Sequence, residues 1–229
     1  FWTFPALRPA IILALACCAV PAAAQWAPKE PPQGATPEAL ARATQLVLVT
    51  TAGWDSTTGE LRRFTRERPA SPWRAEGGPV PIVVGRSGLA WGVGFDALAS
   101  ADAGVAGPRK REGDGRSPAG AFALGRAFGF DPPPAMASLR LPYLPLAAGT
   151  ECVDDAESAH YNRLVDRASM SDVDWRSAER MREIPVYRLG VVVDYNADPP
   201  APGRGSCIFL HIWSGPRSTT AGCTALEAG

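Results

Sequence analysis

Short apolar runs separated by turn residues recur along the chain from residue 46 onward. Runs of this kind, rich in β-branched and aromatic side chains, are typical of β-strands. The pattern predicts strands at Leu46–Val49, Leu61–Thr65, Pro81–Gly85, Leu89–Gly92, Ala121–Leu124, Val186–Tyr195 and Cys207–Trp213. It predicts short helices at 37–44, 158–167 and 177–182. The strand lengths and spacings favour a mainly β fold, a β-sandwich or barrel with few short helices.

The N-terminal segment has the pattern of a secretory signal peptide. Arg8 precedes an apolar run at 11–20, and the small residues Ala22-Ala23-Ala24 follow. The run is near half the ~20 residues that a spanning helix needs, so we expect cleavage after Ala24 and no membrane span afterwards. A retained anchor and a lipoprotein are the weaker alternatives. The chain then divides into a signal peptide at 1–24, a Pro-rich linker at 25–44 and one folded domain at 45–229.

The two ends of the chain read as incomplete. The first residue is Phe1 rather than Met, and residues 224–229 read as the start of an element. We therefore expect sequence beyond Gly229. The sequence leaves the oligomeric state open.

Charge and composition exclude some classes of partner. The chain has 23 Lys and Arg residues against 23 Asp and Glu, so its formal net charge is zero. This balance gives no reason to expect a nucleic acid partner. Cys152 and His160 lie near two acidic residues, but a lone His without a second nearby Cys is a poor zinc pattern. We expect neither a metal nor another cofactor.

The three cysteines outside the signal segment are Cys152, Cys207 and Cys223. In an oxidising compartment an odd count leaves one thiol unpaired within the chain. The simplest assignment is a Cys152–Cys207 disulfide with Cys223 free. Three unpaired thiols are the equally open alternative, because a sequence does not show which cysteines lie within bonding distance.

A histidine and a cysteine near the end of the chain are candidates for nucleophilic chemistry. His211 lies on a predicted strand whose alternation places it on the same face as Cys207, Phe209 and Trp213. A loop then returns the chain to Cys223. An imidazole within hydrogen-bond reach could take the proton of a thiol, and backbone N–H groups of Gly222 and Cys223 could stabilise an oxyanion. A core histidine with a buried structural cysteine is the competing interpretation.

Two blocks of sequence resemble a known family. Thr220-Ala221-Gly222-Cys223 after His211 resembles the signature of the L,D-transpeptidase (YkuD) family, and the Gly113–Phe122 block resembles the family's upstream segment. The resemblance implies a β-sandwich-like catalytic domain in the periplasm or cell envelope, with Cys223 as nucleophile and His211 as proton acceptor and donor. It implies a peptidoglycan stem peptide as acyl donor. It also implies that Ser117 and Gly120 lie near the substrate cleft.

The chain departs from the family where many members carry Arg two positions after the nucleophile. Here that position is Ala225. Arg217, in the loop between His211 and Cys223, is the candidate replacement for binding a substrate carboxylate. Thr220 and Trp213 are further candidates for substrate contact.

Three functions follow from this sequence. The first is an L,D-transpeptidase, which transfers the acyl group to an amine. The second is a hydrolase on the same site, an amidase or carboxypeptidase that uses water and releases a peptide or lipoprotein. The third is a wall-binding module without catalysis.

Overall fold

The computed structural model describes residues 11–17, 38–93 and 106–228. These residues form one short α-helix, α1 (Glu38–Arg42), four 3-10 helices and thirteen strands. The strands are β1 (Ile11–Cys17), β2 (Gln45–Thr51), β3 (Thr58–Thr65), β4 (Arg74–Val83), β5 (Leu89–Trp91), β6 (Ser117–Gly129), β7 (Tyr143–Pro145), β8 (Thr150–Val153), β9 (Leu164–Asp166), β10 (Ala178–Arg180), β11 (Leu189–Val193), β12 (Phe209–Ile212) and β13 (Thr224–Leu226). The 3-10 helices are Pro133–Met136, Arg167–Ser169, Met181–Glu183 and Pro185–Arg188.

The main sheet closes on itself. Its ten strands run in the order β1-β2-β3-β4-β13-β12-β11-β6-β5, with β7 on β6 and a further pairing of β1 with β6. β1 pairs parallel to β2 and antiparallel to β6. A three-stranded sheet, β10-β8-β9, lies beside it. The mainly β class predicted from the sequence is confirmed.

The predicted signal peptide falls only partly on described residues. Residues 11–17 form β1, and the remainder of 1–24 lies outside the described residues, as do residues 25–37 of the predicted linker. Cleavage after Ala24 stays a prediction. No helix in the described part of the chain is long and apolar enough to cross a membrane.

All seven predicted strands and the first predicted helix are present at least in part, although residues 186–188 of one predicted strand belong to a 3-10 helix. The other two predicted helices are wrong. Residues 158–163 form turns that lead into β9, and residues 178–180 form β10 before a 3-10 helix. Polar side chains explain the difference, because Asp155 accepts hydrogen bonds from the N–H groups of Glu157 and Arg176, and Ser158 donates to Asp174. These side chains bond the backbone of turns and a facing loop instead of capping a helix.

An aromatic cluster joins β6, β12 and the last 3-10 helix, Pro185–Arg188. Phe128, Tyr187 and Phe209 meet edge to face, with ring centroids 5.0 Å to 5.8 Å apart. All three are buried, and Cys223 belongs to the same cluster. Such contacts fix the side chains around the sulfur in single positions.

A disulfide joins the small sheet to the main sheet. Cys152 of β8 is bonded to Cys207, which lies just before β12. The simpler of the two cysteine assignments is therefore the one found, and Cys223 is a free, buried cysteine.

Candidate active site

The two sequence blocks that suggested chemistry lie against each other. The Ser87 N–H donates to the Gly115 carbonyl, and the Arg86 N–H donates to the Thr220 carbonyl, both at 2.9 Å. Gly85 lies between them, where an added Cβ would come within 2.2 Å of the Gly115 oxygen. Only glycine permits this close approach of backbone to backbone. The turn after β4 thus holds the Gly113–Phe122 block against the loop that precedes Cys223.

Two hydroxyl groups fix the carbonyl of Cys223. Ser117 Oγ donates to this oxygen at 2.8 Å, and Thr220 Oγ1 donates to it at 2.6 Å. Ser117 in turn accepts the Gly85 N–H at 2.9 Å. The Ser117 side chain is buried, so it supports the backbone of Cys223 and does not contact a substrate.

We expect Ser117→Ala to lower the free energy of unfolding by about 1–3 kcal/mol. The variant leaves the buried Gly85 N–H without its acceptor and removes one of two donors to the Cys223 carbonyl. Thermal and urea denaturation would measure the loss. Ser218→Ala, at an exposed loop position, is the matched control and should change stability by less than about 0.5 kcal/mol. Equal stability of the two variants would contradict the supporting role of Ser117.

β12 and β13 place His211 and Cys223 on one face. The strands pair in parallel, with His211 opposite Ala225 and Leu210 opposite Thr224. Cys223 therefore lies beside Phe209, two positions from His211, and residues two apart on a strand point to the same side. The described contacts include no hydrogen bond between the His211 ring and the Cys223 sulfur.

The tautomer of His211 follows from its neighbour. The ring Nδ1 lies 2.8 Å from the carbonyl oxygen of Ile212. Because a carbonyl only accepts, Nδ1 carries the proton of the neutral ring, and Nε2 is left as an acceptor. This is the form required of a general base.

The thiol of Cys223 is neutral at rest. Burial, and then the nearby charge of Glu179, raise the pKa of the Cys223 thiol, although the Phe209 N–H donates to the sulfur at 3.3 Å. Burial also lowers the pKa of His211. The pair is therefore a neutral thiol and a neutral imidazole, and the thiol must lose its proton during attack.

A cavity of about 330 Å³ opens over these residues. Five residues that the sequence assigned to the site line it, namely Cys223, His211, Trp213, Thr220 and Gly222. The Gly222 N–H donates to Thr220 Oγ1 at 3.2 Å, so it would have to exchange this bond to act on an oxyanion.

Three other residues assigned to substrate contact do not line this cavity. Besides Ser117, Gly120 is buried in β6, where an added Cβ would meet the Phe122 ring at 2.8 Å. Arg217 is exposed on the loop before Cys223. Of their immediate sequence neighbours, only Ser218, next to Arg217, lines the cavity.

Charged groups that the sequence pattern did not indicate line the cavity instead. Its cations are Arg86 and Lys110, and its acids are Glu112, Asp154 and Glu179. Lys110 forms a salt bridge of 2.6 Å with Asp114, which does not line the cavity. Arg86 is exposed and is thus the cation positioned to meet a ligand.

Tyr187 and Glu179 are the main residues that sequence reasoning missed. The Tyr187 hydroxyl donates to Glu179 Oε2 at 2.6 Å and also interacts with the Cys223 thiol. The Tyr187 ring stands edge to face against the His211 ring, with centroids 5.2 Å apart. No spacing signal marked either residue, because Tyr187 lay in a predicted strand and Glu179 in a predicted helix.

Asn162 holds the backbone next to the sulfur. Its Oδ1 accepts the Cys207 N–H at 2.9 Å, and its Nδ2 donates to the carbonyls of Tyr195 and Asn196 at 2.9 Å and 2.7 Å. The Cys207 carbonyl in turn lies 3.5 Å from the Cys223 sulfur, which donates to it. Asn162 therefore fixes the segment that carries both the disulfide and this acceptor.

Within the described residues, no group of three or more His, Cys, Asp or Glu side chains could hold a metal ion. Comparison of the chain with protein-family models, with curated proteins and with solved structures found no match.

Proposed function

We propose that the chain is an exported cysteine acyltransferase that acts on peptidoglycan stem peptides. One observation carries the proposal: a free thiol, Cys223, lies in one cavity with a neutral imidazole, His211, whose Nε2 is available as an acceptor. The resemblance of the two sequence blocks to the L,D-transpeptidase (YkuD) family supplies the substrate class. The packing of these blocks against each other around the Cys223 carbonyl supports the assignment.

The proposed reaction has two halves. In the first, the thiol proton passes to His211 Nε2 as the sulfur attacks an amide carbonyl carbon. The C–N bond then breaks, and the imidazolium returns the proton to the leaving amine, which leaves a thioester on Cys223. In the second half, an amine attacks the thioester, its proton passes through His211, and the thiol is restored.

Arg86 is our candidate for binding a carboxylate of the substrate. The family position two after the nucleophile is Ala225, which is completely buried in β13 opposite His211. Ala225 lines the cavity, but its methyl group carries no charge that could bind a carboxylate. Arg86 is exposed and lines the cavity, and its guanidinium donates to the Gly113 carbonyl at 3.4 Å. A guanidinium can bind a carboxylate through two parallel N–H···O hydrogen bonds.

The test is a product assay with purified protein and muropeptides that contain meso-diaminopimelate. Cross-linked dimers would support acyl transfer to an amine, and shortened stems would support hydrolysis through the same thioester. A carbapenem-type acylating agent should add its mass to the peptide that contains Cys223. Folded protein that gives neither product nor adduct would contradict the proposal.

A further inference from the structure

Glu112 carries a carboxylate that the fold holds in place within the cavity. It lines the cavity and is exposed, yet two buried hydroxyl groups donate to its Oε2, that of Tyr161 and that of Ser206, the latter at 2.8 Å. The Tyr161 oxygen in turn accepts the Gly205 N–H at 3.2 Å. Within the described residues no hydrogen bond reaches Oε1 of Glu112. The second oxygen is therefore fixed in position and available to a ligand.

The Arg86 side chain is supported next to Glu112. Its guanidinium donates at 3.4 Å to the carbonyl of Gly113, the residue that follows Glu112. The side chain also lies against Gly115, where an added Cβ would come within 2.9 Å of Arg86 Cγ, Nε and Cζ. The turn at 113–115 thus supports the guanidinium beside the carboxylate.

These two opposite charges have no charged partner within the described residues. No salt bridge in that part of the chain includes Arg86 or Glu112. The other cation of the cavity, Lys110, is 3% exposed and is paired with Asp114. A guanidinium and a carboxylate that line one cavity, each without a charged partner, complement a ligand that carries both charges.

Further acids favour a cation on this ligand. Glu179 and Asp154 also line the cavity, and no salt bridge among the described residues includes either. Burial, opposed by the Tyr187 hydrogen bond and aided by the charges of Asp154 and Glu112, raises the pKa of Glu179 to about 7. The three acids therefore lie close enough to repel one another, and an ammonium group beside Glu112 would reduce this repulsion.

We propose that Arg86 and Glu112 together bind a zwitterionic amino acid group, an ammonium and a carboxylate on one carbon. Arg86 binds the carboxylate through paired N–H···O hydrogen bonds, and Glu112 Oε1 accepts a hydrogen bond from the ammonium. In a stem peptide, the side chain of meso-diaminopimelate ends in such a group. Glu112 is thus a specificity-determining residue, because it distinguishes a free amine from an acylated one. The choice of a stem peptide as ligand rests on the proposed function, whereas the match of the two charges to a zwitterion does not.

The experiment measures peptide binding by calorimetry in Cys223→Ser protein, because this background should bind a stem peptide without turning it over. Three peptides are compared: one with the free zwitterionic group, one with its amine acetylated and one with its carboxylate amidated. The free peptide should bind about tenfold more tightly than either of the others, the scale of one hydrogen bond to a charged group.

Substitutions in the protein should couple to these changes in the peptide. Glu112→Gln keeps an acceptor oxygen for the two hydroxyls, and it should weaken binding of the free peptide about tenfold. It should weaken binding of the acetylated peptide less than about twofold, because the interaction is already lost. Arg86→Gln should show the same pattern with the amidated peptide.

Glu183→Gln is the matched control. Glu183 is 65% exposed, pairs with Arg180 and does not line the cavity. This variant should bind all three peptides as the Cys223→Ser protein does.

A Glu112→Gln variant that loses affinity for the free and acetylated peptides by the same factor would overturn the pairing of Glu112 with the amine. Equal binding of the three peptides, or no binding to folded protein, would overturn it as well. The muropeptide assay decides the proposed function separately. Coupled binding without cross-linked or shortened products would support the zwitterion site and contradict the acyltransferase, whereas products without coupling would do the reverse.

Discussion

Replacement of Cys223 by alanine is expected to abolish acyl transfer. Loss of the nucleophile removes the thioester, and the expected fall in turnover is on the order of 10⁶-fold, the scale found when the nucleophile of a triad enzyme is removed. The muropeptide assay would then give neither dimers nor shortened stems, and the acylating agent would add no mass.

Cys223→Ser is the control for this result. Alanine leaves the buried Phe209 N–H without the sulfur that it meets at 3.3 Å, so part of any loss could come from instability. Serine keeps an acceptor near that position but is a far weaker nucleophile in this neutral site. Both variants should lose activity, but the melting temperature of Cys223→Ser should lie closer to that of the wild type. Products from either variant equal to those of the wild type would rule out Cys223 as the nucleophile.

Removal of the Cys152–Cys207 disulfide is expected to have the largest effect on stability. The bond closes a loop with a sequence separation of 55 residues, and the chain-entropy model assigns such a loop about 4 kcal/mol at 25 °C. Cys152→Ala, or reduction of the wild type, should lower the free energy of unfolding by about 2–5 kcal/mol. Urea denaturation with and without a reductant would measure it.

The same change should also lower activity, because Glu179 and Asp154 lie on or beside strands that the disulfide secures. The control for reduction is the wild type with Cys223 alkylated, because alkylation prevents thiol–disulfide exchange between Cys223 and the Cys152–Cys207 bond. A reductant that leaves both the unfolding curve and the acylation rate unchanged would show that the small sheet is held without the bond.

The sequence predicted the parts of the site that depend on local pattern. Strand alternation placed His211 on the face of β12 that carries Phe209, which lies beside Cys223. The odd cysteine count singled out Cys223 as the free thiol under one of two assignments. Each of these follows from residues close together in the chain or from elimination.

The missed parts depend on contacts between distant residues. Ser117 donates to the Cys223 carbonyl across 106 positions, whereas the family resemblance implied only that it lies near the cleft. Glu179 lies in the segment 177–182 that was predicted as a helix, yet pairing with β8 makes residues 178–180 a strand. Tyr187 shares a buried cluster with Cys223, in which its ring packs against Phe128 and Phe209. None of these placements has a signal in residue spacing.

The strand that completes the main sheet comes from the segment that we expect export to remove. β1 pairs along all of β2, from 45 to 51, and along residues 120–123 of β6. Processing after Ala24 would leave both of these backbone edges without a neighbour. Unpaired edges invite an incoming extended chain, so the precursor and the processed protein should differ in amide hydrogen exchange at these two edges and in their tendency to self-associate.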